Sequence, residues 1–171
     1  EEYLAILDWS IEQEENTVAI RIPWTGVYHA EKAVRKDYSD VKYRVTEEGE
    51  EVAILALGSF YQLGAEVREK LKAAGIQASL INPLYINKKD EALLESLKKE
   101  HKLVVTLEDG ILQGGFGSMI SQYYSLDKMK VLNKGFFKAI PSSYVPEEFM
   151  RENRLLPEQI TEDIIELIKE K

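Results

Sequence analysis

What most limits the fold of this chain is the repeated pairing of a short, wholly apolar run with a segment of helical period. Residues 52–57 are apolar without interruption, Gly58 and Ser59 make a turn, and Leu63, Val67, Leu71 and Ala74 then stripe one face of a helix closed by Gly75. A strand that is apolar on both faces must be covered on both sides, which is the setting of a parallel sheet. The pairing recurs. Residues 78–81 read as a second strand, Asp90 is placed to cap a helix bearing Leu93, Leu94 and Leu97, and residues 103–107 read as a third strand. A helix over 118–124 and a strand over 130–132 follow. The last helix is expected to start near Pro157, a favoured first-turn position for proline, and to bury Ile160, Ile164, Leu167 and Ile168. The pattern predicts an α/β fold: three layers (αβα) around a mostly parallel sheet of about five strands, joined by right-handed crossovers.

Ahead of this regular part the pattern is different. Leu4, Leu7 and Ile11 share a helical face, Asn16 breaks it, and residues 18–22 read as a strand ended by Pro23. Residues 27–43 mix charges without a clean period and read as a linker lying over a surface. Residues 43–45 add a short strand before an acidic turn. The chain opens on Glu1 and enters a helical pattern at once, so we read it as part of something longer. The expected division is the end of a preceding domain over 1–26, a linker and edge segment over 27–46, and the α/β domain over 47–171.

The charge balance narrows the partners. The 171 residues carry a formal charge of −8, with 44% hydrophobic and 30% charged residues, the profile of an ordinary globular protein. Lysine and arginine are scattered among acids, which argues against nucleic acid or an anionic membrane surface as the main partner. The sequence contains no cysteine, so disulfides and thiolate chemistry are out, and a reducing cytoplasm suits it. No apolar run is long enough to span a bilayer.

The polar chemistry concentrates in residues 103–118, where a strand, a turn and a glycine-rich helix start follow one another. Glu108 and Asp109 are expected at the carboxyl edge of the strand, where α/β sheets place polar groups and the next helix begins with unpaired N–H groups. Gly114, Gly115 and Gly117 admit two readings: a cradle for an anion at a helix start, or a close packing of helix on sheet that binds nothing. The spacing is neither the dinucleotide fingerprint nor a Walker loop, and two acids upstream would repel a phosphate, so the packing reading is favoured. Histidine occurs only at His29, in the linker, and at His101, which reads as a surface residue complementing a helix end. Ser59 is not the centre of a nucleophile elbow.

The residues Thr106-Leu-Glu-Asp-Gly-Ile-Leu-Gln-Gly-Gly-Phe-Gly-Ser118 resemble the Thr-Val-Glu-Glu-Asn-x-x-x-Gly-Gly-Phe-Gly-Ser signature of the 1-deoxy-D-xylulose-5-phosphate synthase family, within the transketolase C-terminal domain. Residues 52–58, the run from Ile81 to Leu94, and Val18-Ala-Ile-Arg-Ile-Pro23 agree in order and spacing. The last is similar to the Val-Ala-Ile-Arg-Tyr-Pro-Arg-Gly end of the family's pyrimidine-binding domain, which assigns residues 1–26 to that domain. The resemblance implies a homodimeric parent enzyme that uses thiamine diphosphate and Mg2+ to join a two-carbon unit from pyruvate to glyceraldehyde 3-phosphate. It implies no catalytic, cofactor-binding or metal-binding residue in this stretch, no cofactor bound to it, and no activity in isolation. Its partners would be the parent's own amino-terminal domains, a second subunit and small-molecule substrates. Arg21 matches the first arginine of the Arg-Tyr-Pro-Arg-Gly pattern and is the expected substrate-binding residue, its planar fork suiting the acceptor's phosphate.

Three departures leave other readings open. Trp24 stands where the family has its second arginine, Leu84 replaces another arginine, and Lys88 replaces a proline. The family's tail segment is only faintly echoed in residues 141–144. A transketolase-like enzyme or ketoacid-dehydrogenase subunit with another substrate is one alternative, and a module for domain packing or oligomerisation is the other.

Overall fold

In the computed structural model of the chain, residues 1–22, 26, 29, 34–137 and 145–169 are described. The centre is a five-stranded sheet in the order β1-β3-β2-β4-β5, formed by β1 (Arg44–Glu47), β2 (Glu51–Ala56), β3 (Ala78–Asn82), β4 (His101–Ile111) and β5 (Lys130–Phe136). All neighbours run parallel except β1, which lies antiparallel on the β3 edge. The expected mostly parallel sheet is therefore present, and β1 and β2 fall where the sequence placed them.

Alternation along the buried strands divides the core in two. Val52, Ile54 and Ala56 of β2 face α2 (Tyr61–Ala73) and α6 (Pro157–Lys169), packing with Val67, Leu71, Ile160 and Ile164. Ala53 and Leu55 face the other way, toward Leu94 and Leu97 of α3 (Glu91–Leu97) and Phe116 and Ile120 of α4 (Phe116–Tyr123). Residues of one strand thus feed both cores, as the uninterrupted apolar run required. Leu167 and Ile168 are only partly buried against the first core.

The expected helix signals are used. Gly75 sits at φ 83° and Ile76 donates its N–H to the Leu71 carbonyl at 2.9 Å, closing α2 in a left-handed turn. Asp90 accepts from the Leu93 N–H at 3.0 Å and, through its other oxygen, from the Tyr43 N–H at 2.9 Å. One carboxylate therefore starts α3 and ties the entry to β1.

Two expectations need correction. Residues 18–22 form no strand: a strand exists through its ladder, and no described strand runs beside them. The expected helix is present as α1 (Glu2–Ile11), held at the β1 and β3 edge by Glu2, which meets Arg44 at 3.2 Å and Asn82 at 3.1 Å, while Leu4 and Ile11 stay exposed. His101 is not a surface residue. It opens β4, is 9% exposed, and its Nε2 lies 2.9 Å from the Ser79 hydroxyl, which in turn donates to the Gly49 carbonyl. Its Nδ1 does approach the Leu97 carbonyl near the end of α3, at 3.3 Å. Burial pushes its pKa down, against the pull of that carbonyl and of Glu100.

Candidate functional site

The sheet order locates the site. From β2 the chain steps to β3 on one side, then crosses to β4 on the other, so the connection direction reverses between β2 and β4. In open α/β sheets the crevice at the carboxyl ends of two such strands is where polar groups and ligands gather. Here it is bordered by the turn Gly58–Phe60 after β2 and by the far end of β4.

β4 runs longer than expected. Its pairing with β5 becomes irregular after Leu107 and resumes at Ile111 opposite Phe136, so Glu108 and Asp109 lie within the strand. Successive residues of a strand point to opposite sides, and the two carboxylates part accordingly.

Glu108 is 5% exposed. Its Oε2 accepts from the Phe116 N–H and its Oε1 from the Gly117 N–H, both at 2.8 Å. These are first-turn donors of α4, whose N-cap Gly115 has no side chain to offer them. The glycine turn therefore does receive an anion, and that anion is the chain's own carboxylate. Its close approach explains Gly115, where a Cβ would lie 2.3 Å from Glu108 Oε2 and 2.5 Å from the Ile111 carbonyl; Gly117 answers to the sheet below, where a Cβ would lie 2.6 Å from Thr106 Oγ1 and 2.8 Å from Asn133. Gly114 serves differently, by standing at φ 77° with open space around it. The packing reading of Gly114, Gly115 and Gly117 is the one the geometry supports.

Asp109 turns to the crevice. Ser59 Oγ donates to its Oδ2 at 2.9 Å, bridging the loops after β2 and β4. Arg21, from the irregular segment over 17–22, donates through one terminal nitrogen to the Asp109 carbonyl at 2.9 Å and to Oδ2 at 3.3 Å. The Arg21 side chain keeps 59% exposure and that of Asp109 39%. Arg21, Asp109 and Ser59 thus converge on the place where the fold puts ligands, although the sequence offered no sign that Ser59 and Asp109 would meet.

Other polar residues prove structural. Thr106 donates to Asn133 at 2.8 Å, and Asn133 donates to Ser121 at 2.7 Å, pinning α4 over β4 and β5. Lys134 is 7% exposed and bonds Asp163 of α6, which also pairs with Arg154. Burial works against ionisation of Asp163, and these two cations outweigh it and hold its pKa below the usual carboxylate value. His29 is exposed and lies 2.9 Å from Glu1. Among the described residues no group of three or more His, Asp or Glu can hold a metal ion, and no helix is long and apolar enough to cross a membrane. Leu84, at φ 63°, lines a cavity of about 460 Å3 whose walls mix the cations Arg35, Lys42 and Arg44 with the acids Glu2, Asp37 and Asp40. Trp24 and residues 141–144 lie outside the described residues.

A mostly parallel αβα sheet with this edge and this glycine turn has a counterpart among known families. The model of the transketolase C-terminal domain matches residues 41–160, and the chain belongs to that family. Among curated proteins it is similar to the 1-deoxy-D-xylulose-5-phosphate synthase of Shouchella clausii (strain KSM-K16), 32% identical over 99% of this chain and 28% of that protein. The synthase of Clostridium tetani (strain Massachusetts / E88) is 32% identical over 80% of this chain and 22% of its own length. The chain therefore spans less than a third of these relatives. Among solved structures, a split gene transketolase described as an inactive beta4 tetramer superposes with a TM-score of 0.69, covering 79% of this chain and 45% of that one. Its identity of 23% makes this a likeness of fold.

Proposed function

We propose that the chain is the carboxyl-terminal part of a thiamine diphosphate-dependent 1-deoxy-D-xylulose-5-phosphate synthase, which converts pyruvate and glyceraldehyde 3-phosphate to 1-deoxy-D-xylulose 5-phosphate and carbon dioxide. One observation carries the reading: similarity to a named synthase extends over 99% of the chain, well ahead of residue 41 where the family match begins, and so takes in the segment of Arg21. The cofactor, with Mg2+, supplies carbanion stabilisation. Residues outside this chain hold both, and the chain has no activity by itself. Within it, Arg21 binds the acceptor's phosphate through the donors that Asp109 leaves free. Residues 1–26 complete the preceding pyrimidine-binding domain, residues 27–46 link it to the domain over 47–171, and the exposed Leu4 and Ile11 of α1 pack against the rest of that domain. The parent is a cytoplasmic homodimer.

A second reading, favoured by Leu84 and Trp24 in place of the family's arginines, keeps the cofactor and changes the acceptor. A product assay on the complete enzyme separates the two, with thiamine diphosphate, Mg2+ and pyruvate supplied with and without glyceraldehyde 3-phosphate. Carbon dioxide released together with deoxyxylulose phosphate is the expected result. Pyruvate consumed without that product, or not consumed, contradicts the synthase reading.

A further inference from the structure

The assignment of Arg21 to the acceptor's phosphate raises a physical difficulty. A long side chain on an irregular segment is a poor recognition element, because ordering it costs conformational entropy at the moment of binding. Residues 17–22 have no ladder with the described residues to hold them, and the Arg21 side chain is more than half exposed. Among the described residues, its contact with Asp109 alone fixes it.

We propose that Asp109 is the positioning residue of the site: fastened by Ser59, it holds the Arg21 guanidinium over the β2–β4 crevice in the orientation that receives a phosphate. This rests on the reading of Arg21 given above. Ser59 Oγ donates to Asp109 Oδ2 at 2.9 Å and so fixes the carboxylate from the far side of the crevice. The same Oδ2 and the Asp109 backbone carbonyl then receive one terminal nitrogen of Arg21, at 3.3 and 2.9 Å, and two acceptors on one nitrogen set the direction of the planar group. The remaining nitrogens of Arg21 have no partner among the described residues and stay available for a bidentate contact. The neighbouring Glu108 does not compete, since both its oxygens are occupied by α4. An exposed ion pair of this kind adds little to folding stability, so a role in stability alone would leave the arrangement without effect.

Steady-state kinetics on the complete enzyme test the proposal with Asp109→Ala, Arg21→Ala and the double variant, using glyceraldehyde 3-phosphate and glyceraldehyde, which lacks the phosphate. Asp109→Ala is expected to raise KM for the phosphorylated acceptor roughly tenfold, the scale of one charge-assisted contact, and to leave KM for pyruvate and for glyceraldehyde unchanged. Asp109→Asn, which keeps an acceptor oxygen for Ser59 and Arg21, should fall between. In the Arg21→Ala background, Asp109→Ala should add nothing. An Asp109 effect that persists in that background, or that is equal for both acceptors, overturns the positioning role, as does a silent Asp109→Ala beside an impaired Arg21→Ala. A silent Arg21→Ala overturns the phosphate assignment itself.

Discussion

Glu108 and Asp109 are adjacent in the chain, carry the same charge and lie at the same sheet edge, yet their surroundings divide them completely. Glu108 is buried and gives both oxygens to backbone N–H groups of α4. Asp109 is part exposed, and among the described residues its carboxylate meets side chains alone, Ser59 and Arg21. Strand alternation makes the difference, sending one carboxylate under the helix and the other into the crevice. The comparison teaches that an acidic pair at such an edge is not a unit: one member belongs to the scaffold and the other to the site. It also explains why a glycine-rich helix start, so often a phosphate cradle, is closed to ligands here.

The contrast can be broken most severely at the glycines. Gly115→Ala would drive a methyl group into Glu108 and the Ile111 carbonyl, and we expect about 3 kcal/mol of lost stability by urea unfolding. Gly114→Ala meets no neighbour and carries only the left-handed backbone penalty, about 1 kcal/mol. Similar losses at both positions would mean that Glu108 does not sit against the turn.

A smaller effect sharpens the comparison from the opposite edge of the sheet, where a buried histidine stands in place of a buried carboxylate. The His101 pKa is lowered in the folded protein by burial, with the Leu97 carbonyl, Gly49 carbonyl, Glu100 and Glu50 acting the other way. The unfolded chain therefore binds more protons below its ordinary histidine value of about 6.5. Stability from this group is complete above that pH and declines as the pH falls toward the lower folded value. His101→Gln should flatten the decline between about pH 7 and 5 in urea midpoints. An unchanged slope would remove His101 as its source.

Much of the fold was legible because the apolar runs of β2, β3 and β4 and the stripes of α2 and α6 have clear periods, and because Asp90, Gly75 and Pro157 are strong boundary signals. Less was legible wherever tertiary contacts decide. His101 was read from its charged neighbours Glu100 and Lys102, although Ser79 on β3 supplies the partner that lets the ring be buried. The apolar run of β4 stops at Leu107, where the sequence reads as a polar turn, but pairing with Phe136 extends the strand to Ile111. The helix α5 (Pro146–Glu152) was missed even though Pro146 with Glu147 and Glu148 is a recognisable helix start, and Phe149 stacks there on Phe136. At the site, Arg21 came from family resemblance alone. Its meeting with Asp109 spans 88 positions and Ser59's spans 50, separations at which no local pattern operates.

The division between the two carboxylates is tested most directly by urea unfolding of Glu108→Gln beside Asp109→Asn. Glutamine can accept at one oxygen and turns an amide NH2 toward the other buried N–H, so a loss of about 2 kcal/mol is expected. Asp109→Asn should shift stability by no more than about 0.5 kcal/mol. Equal losses, or a larger one at Asp109, would contradict the assignment of Glu108 to the scaffold and Asp109 to the site.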